Sequence, residues 1–499
     1  MNAHMPLRQL AAAVMLLACA TLPGPAAERA EEVAAALEGQ VVSLSVTYQG
    51  YVEDRPWDKQ NPALRESHAV VVDGPLLLTT ARYLFDATFI QATKRGRGER
   101  FPAHVVHIDP EIDLALVAVD DPAFYADLQP ARLAEHVPTS GLVLSARWSN
   151  RQLEVSNSRV SRVEVTDSTY GAVACMKLYL RSDLVKGGWS EPVFDPTGRL
   201  LGLTFGQDEQ QAAALPVEVL RAYIADARSG RDYRGFAALG IGWQINRDIA
   251  LARHLGLAGP ARGIVVRTVP WGATGSGVLE PRDILLELDG RPIDAEGYYE
   301  HPRYGRLRLT NLLVDGHRVG DVVPVRVLRG GRELELELPL HAYAQASRLI
   351  PWQRANTPPP YVIAGGFVFR ELDSPYLRTW GNEWRKNIPL NLATRLDLDD
   401  DAQQPDRSRL ILLAGVLPDE YTIGYEDVAD LLVDAINGRP IDSIAEVEEA
   451  FRHPVDGFHT VSFLPNGLRS EAVLDAAEFE AATTRILETY RIPERARLP

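Results

Sequence analysis

The stretch "LVKGGWSEPVFDPTGRLLGLTF", from Leu184 to Phe205, sets the reading of the whole chain. The glycine pair Gly187 and Gly188 opens a loop, Pro192 to Phe194 is a short apolar run, and Asp195 to Arg199 holds turn residues. "LLGLTF" is then a strand-sized apolar segment. The same grammar extends in both directions. From Gln40 to about Ile224, "VVSLSVTYQ", "HAVVVDGPLLLTT", "FPAHVVHI", "DLALVAVD", "LVLSARW" and "RVSRVEV" are short alternating runs separated by turn residues, which predicts an all-β barrel or sandwich. "LPVEVLRAYIADARSG" has helical spacing and a glycine stop, so a C-terminal helix closes this first domain.

Downstream, "LGIGWQI", "GIVVRTVP", "DILLELDGRPI" and "VVPVRVLRGGRELELELPL" are strands joined by tight turns. A linker around "QRANTPPPY" follows, its consecutive prolines enforcing extended backbone. Beyond it the order repeats loosely, most closely between "LELDGRPID" near Leu286 and "VDAINGRPID" near Val433, so two copies of one fold are expected. The resulting division is 1–27, 28–230, 235–345, 358–480 and a C-terminal helix or tail over 481–499.

The chain has 499 residues, 46% hydrophobic and 24% charged, with a formal net charge of −15. That balance suits a globular protein of about three domains and argues against phosphate-backbone binding. The basic run Lys94 to Arg100 is broken by glycines and reads as a hairpin turn, so no nucleic-acid partner is expected. Arg8, the apolar run "LAAAVMLLACATL" and the small residues of "PGPAAERA" form an export signal over 1–27, predicting a periplasmic location. In a rival reading Cys19, at the end of "LLAC", is a lipid-attachment site. The remaining cysteine, Cys175, lies in an apolar run and reads as a small buried hydrophobe. The acidic run Asp397 to Asp401 lacks the glycine and terminal glutamate of a calcium loop and reads as a solvated connection. Neither a cofactor nor a metal is expected.

Taken in order, these segments resemble the HtrA/DegP-type serine proteases, in which a chymotrypsin-like double β-barrel precedes PDZ domains. The second copy, with "YVIAGGFVF" and "TIGYEDVADLLVDAINGRPI", is most similar to the plant-type Deg branch. The resemblance covers roughly Gln40 to Glu480 and implies a mainly β fold: a double barrel followed by two PDZ-like α+β domains. It also implies where a catalytic triad would stand. "LTTAR" puts Arg82 at the histidine position, "DLAL" puts Asp113 at the aspartate position, and alignment on "PVFD" puts Trp189 at the serine position.

Two of the three positions have therefore lost their chemistry. A serine nucleophile needs a neighbour that takes its proton and returns it, and a guanidinium with a pKa above about 12 cannot. Arg82 is instead expected to pair with Asp113, and the Trp189 indole to occupy part of the cleft. Ser190 is a substitute nucleophile only if a one-residue shift preserves its direction, which a tight loop does not generally allow. Glu191 stands where the family has glycine, and a carboxylate there opposes oxyanion stabilisation. Arg181 replaces another family aspartate. His68, His104 and His107 read as structural or surface residues. Loss of the serine or histidine alone costs about a million-fold in turnover, roughly 8 kcal/mol of barrier.

The resemblance also implies peptide binding, because PDZ domains add a ligand strand and hold its terminal carboxylate in a φ-G-φ loop. Leu239, Gly240 and Ile241 match that loop in the first copy, and Gly365, Gly366 and Phe367 in the second, which has intramolecular or oligomer contacts as its other role. Two functions stay open at this point. One is a non-catalytic scaffold, chaperone or regulator that binds unfolded polypeptides or C-terminal peptides in protein quality control, as a homo-oligomer built on a trimer and with an active protease relative as a further partner. The other is a serine endopeptidase with rearranged catalytic residues.

Overall fold

The computed structural model describes residues 33–499 apart from 97, 168–170, 172, 343–347, 353, 400–406 and 466–468. The expected export signal, Cys19, and Asp400 and Asp401 of the acidic run lie outside the described residues.

The alternating segments close into two six-stranded barrels. The first runs Val41–Tyr48, Ala63–Val72, Leu76–Thr79, Leu114–Val119, Phe101–Asp109 and Ala87–Lys94 in hydrogen-bonding order. The second runs Gln152–Thr166, Cys175–Ser182, Gln211–Pro216, Leu200–Asp208, Pro192–Phe194 and Gly141–Ser149. Period-two alternation gives the first barrel two apolar faces. Val42, Val71, Leu77 and Ala115 point into its own core, whereas their neighbours Val41, Val70, Leu78 and Leu114 join Phe194, Leu203 and Leu215 of the second barrel in a shared seam. The helix Val217–Ala227 adds Val219, Leu220 and Tyr223 to that seam. The expected mainly β double barrel is the observed architecture.

Each later unit is a sheet with short helices. The first orders Gly242–Ile245, Ile264–Thr268, Ile284–Leu288, Val322–Arg329 and Arg332–Pro339, and carries an added hairpin, Tyr298–His301 with Gly305–Arg308. In the second the central order is Phe458–Phe463, Leu431–Ile436, Ile411–Val416, Phe367–Glu371 and Tyr361–Ala364. The internal repeat is visible as matching tight hairpins, Leu288 opposite Arg291 and Ile436 opposite Arg439. The boundary expected at 480 falls inside the helix Phe479–Thr489, and Ala496 and Arg497 pair with Val362 and Tyr361 as a further strand of the same sheet. Residues 481–499 are therefore integral to the second unit, because Phe479, Ala482 and Ile486 bury an apolar helical stripe.

A hairpin inserted in the first barrel, Tyr51–Val52 with Arg55–Lys59, docks on the second unit. Trp57 packs edge-on to Tyr361 at 5.9 Å, beside Ile363, Val368 and Ile492. Next to it the Arg370 side chain is fully buried and pairs with Glu53 and Asp373, each at 3.0 Å, while Arg354 pairs with Glu371 at 2.6 Å and with Asp373. Burial pushes the Glu53 carboxyl up, Asp373 adds to this, and Arg370 and Arg354 pull it back. Removing one member strands the others in a dry site, so Arg370→Ala is expected to cost about 3–5 kcal/mol in chemical denaturation of the full chain. A change under about 1 kcal/mol would show the network to be solvated, as in exposed pairs.

Candidate functional site: a degenerate cleft and two glycine loops

Arg82 sits in the 3-10 turn Ala81–Leu84 that follows the strand Leu76–Thr79, and Asp113 immediately precedes the strand Leu114–Val119. The two residues meet at the barrel seam. Arg82 donates its backbone N–H to Asp113 Oδ1 at 2.9 Å and its Nε–H to Oδ2 at 2.6 Å, with Nη2 against the same oxygen. The carboxylate is thus gripped by side chain and main chain of one residue. Arg82 Nη1 reaches across to Phe205 O of the second barrel at 2.8 Å. Burial pushes the Asp113 carboxyl above its ordinary range, and Arg82, followed by Lys177, pulls it back.

Lys177 is itself buried, with its Nζ 3.0 Å from Cys175 Sγ and 5.2 Å from the Phe205 ring centre. The Arg82 guanidinium lies 5.3 Å from the same ring, so Phe205 offers its face to two cations. Cys175 is fully buried, and the ammonium beside it is a partner that its apolar sequence context did not announce.

The loop Gly187–Glu191 is tied to both barrels by hydrogen bonds. Trp189 remains 40% exposed instead of packing into the interior. The adjacent Gly188 O accepts the Tyr83 hydroxyl at 2.6 Å, and Trp189 O accepts the His68 N–H at 2.9 Å. Ser190 is fully buried in a left-handed conformation (φ +64°). Its Oγ lies against Thr80 Oγ1 and Ser67 Oγ, the latter at 3.2 Å, and accepts the Thr80 N–H at 3.3 Å. Among the described residues no histidine is one of these partners, and the side chain is closed off from solvent. His68 is held between Trp189 O and Trp148 O at 3.3 Å each, His104 is exposed beside Asp120, and His107 bonds Tyr223.

Glu191 is the residue whose role sequence reasoning underestimated. It is fully buried, and its Oε2 accepts the N–H groups of Gly188 at 2.9 Å and Trp189 at 2.8 Å, together with the Thr204 hydroxyl. Convergent loop N–H groups of this kind are what an acyl-transfer enzyme aims at a developing oxyanion. Here the Glu191 carboxylate occupies them. The signal was a glutamate in a loop with no room for an unpaired charge, which forces it to find donors nearby.

The two predicted peptide loops differ. Leu239, Gly240 and Ile241 precede the strand Gly242–Ile245, which lies at the end of its sheet and pairs, among the described residues, only with Ile264–Thr268. Gly240 has φ +66°, so a side chain there is strained. A cavity of about 210 Å³ adjoins these residues, lined also by Arg308, Thr310 and Asp167. Thr310 Oγ1 is buried there without a hydrogen-bond partner. The structure does not present Gly365, Gly366 and Phe367 in this way. The glycines, at φ +57° and +84°, form the two-residue turn between Tyr361–Ala364 and Phe367–Glu371. Gly365 N–H is taken by Thr483 Oγ1 at 2.9 Å, and a Cβ on it would stand 2.9 Å from Phe479. The strand after this turn has neighbours on both sides, so it offers no edge to an added peptide. A hairpin turn and a carboxylate loop both demand left-handed glycines, which is why their sequences look alike.

Because Asp113 is dry and met by one cation, Arg82→Met is expected to destabilise the double barrel by about 3–5 kcal/mol in denaturant titration, and Arg82→Met/Asp113→Leu to recover most of that loss. Equal losses in the single and double variants would show that the pair is not what the seam depends on.

A PDZ domain family model matches residues 350–497. The chain is 25% identical over 461 residues to Protease Do-like 2, chloroplastic, of Arabidopsis thaliana, covering 91% of this chain and 74% of that protein. It is 25% identical over 447 residues to the mitochondrial Protease Do-like 4 of the same plant, covering 88% and 81%. Among solved structures, the HtrA-type protease AlgW with decapeptide superposes with a TM-score of 0.48 at 19% identity, over 62% of this chain and 98% of that one. The chain is therefore a homologue of the HtrA/Deg-family trypsin-like proteases and carries a PDZ domain.

Proposed function

We propose that this protein is a non-catalytic relative of those proteases that binds the C-termini of unfolded or misassembled polypeptides and works as a scaffold, chaperone or regulator in protein quality control. The observation that carries this reading is the edge strand Gly242–Ile245, paired on one side only among the described residues and standing directly after the loop Leu239–Ile241. An extended peptide laid along that edge forms main-chain hydrogen bonds, and its terminal carboxylate reaches the loop and the neighbouring Arg308. The absence of catalysis is supported by the guanidinium at the base position, the indole at the nucleophile position and the carboxylate of Glu191 on the loop donors.

The second unit has the other role. Its turn is sealed under the helix Phe479–Thr489 and its sheet edge is taken by its own C-terminal residues, so it serves to clamp the chain on the first barrel. The segment 1–27 supports export to the periplasm, and a homo-oligomer, built on a trimer, remains part of the proposal.

Binding is to be measured by calorimetry with short peptides ending in a free carboxylate. The native chain is expected to bind them, amidated peptides to bind at least about tenfold more weakly, and Arg308→Ala to lose a similar factor, as for a charge-assisted hydrogen bond worth about 1.5–3 kcal/mol. Gly240→Val, which forces a β-branched residue into positive φ, should abolish binding. Affinity indifferent to amidation and to both substitutions would sink the proposal.

A further inference from the structure

The added hairpin of the first α+β unit, Tyr298–His301 with Gly305–Arg308, rests on the second barrel through its tip. The Tyr304 hydroxyl donates to Glu218 Oε1, on the first turn of the helix Val217–Ala227, and lies 3.4 Å from Val137 O. The same Glu218 oxygen accepts the Val137 N–H at 3.1 Å. A cavity of about 150 Å³ separates the two bodies, with His136, Glu218, His301, Tyr304 and Asp315 on its walls. Among the described residues no group of three or more histidines, cysteines or carboxylates is placed to hold a metal.

His301 closes the hairpin tip. Its Nδ1 faces two backbone donors, the N–H of Arg303 at 3.1 Å and the N–H of Tyr304 at 3.2 Å. A backbone N–H only donates, so Nδ1 must present its lone pair and the ring proton belongs on Nε2, which lies 3.6 Å from Asp315 Oδ2. The imidazole stacks on the Tyr304 ring at 4.9 Å and 28°. The geometry that delivers Tyr304 to Glu218 therefore requires a neutral His301, because a proton on Nδ1 replaces two hydrogen bonds with two N–H to N–H repulsions.

We propose that His301 is a proton-operated catch: neutral, it closes the turn that holds the first α+β unit on the second barrel through Tyr304 and Glu218; protonated, it opens that turn and releases the contact. The surrounding charges are mixed. Asp315, on the segment after the 3-10 turn Leu309–Leu313, favours the proton, and Arg291 and Arg303 oppose it. Glu218 and His136 face it across the cavity from the barrel side, while Tyr299 and Tyr304 flank it on its own hairpin. Burial is the largest influence and holds the imidazole below its ordinary value. The sign follows: the docked form excludes the proton, so the contact is at full strength above the unfolded value of about 6.5 and weakens as pH falls below it. On the barrel side His136 lies 3.5 Å from both Glu135 and Glu218.

Hydrogen exchange on the full chain tests this, and it does so independently of peptide binding. After correction for intrinsic rates, protection within 298–308 is expected to fall between about pH 7.5 and about pH 5.5, by up to about tenfold, the limit for one proton taken up only by the released form. His301→Gln, a neutral side chain with an acceptor oxygen, should keep its protection across that range, and His136→Gln should fall like the native chain. No fall in the native chain, or the same fall in His301→Gln, would overturn the proposal. Should His301→Gln fail to fold, the ¹⁵N shifts of His301 in the native chain decide: an unprotonated Nδ1 at neutral pH supports the catch and a protonated one refutes it.

Discussion

A carboxylate buried at the seam of two barrels must be met by a cation or by hydrogen-bond donors, and Asp113 is met by both from one residue. Arg82 brings its backbone N–H and its guanidinium to the two oxygens and extends a further nitrogen to Phe205 O in the opposite barrel. A histidine in this position would leave an imidazole to work on a substrate. The arginine instead makes an ion pair with Asp113 there, and it ties the barrels together as it does so. The rest of the cleft is consistent with that change. On the proposed non-catalytic reading, nothing is lost when the loop turns Ser190 inward or lends its N–H groups to Glu191.

The same economy of polar groups explains how the two α+β units diverge. Each is built on a similar strand and turn pattern, yet among the described residues one leaves an edge strand beside its glycine loop and the other fills both positions with its own chain. In the second unit Gly365 N–H has an internal acceptor in Thr483, and the sheet ends on the C-terminal residues. Backbone donors satisfied internally have no affinity to spend on a ligand. The buried cluster of Arg354, Arg370, Glu53, Glu371 and Asp373 then fixes this sealed unit to the first barrel.

Much of this was legible from the residues alone. The alternation of Val41 to Val46 and the apolar run Ala69 to Val72 predicted strands, the matching "GRPID" segments predicted a repeated unit, and the alignment of "LTTAR", "DLAL" and "PVFD" located Arg82, Asp113 and Trp189. What stayed hidden was decided by partners distant in sequence. Glu191 finds Thr204, and Lys177 shares Phe205 with Arg82. Gly365 and Gly366 carry the local signature of a carboxylate loop, and only the helix that begins more than a hundred residues later shows that they close a buried hairpin. Local pattern specifies backbone shape; the identity of what a shaped backbone faces is a tertiary property.

The central claim, that the cleft is a structural joint without hydrolytic chemistry, is tested most directly by incubating the purified native chain with a denatured model protein beside an Arg82→Ala/Ser190→Ala variant. The geometry predicts background hydrolysis in both, with or without an added C-terminal peptide. Cleavage by the native chain that disappears in the variant would contradict it.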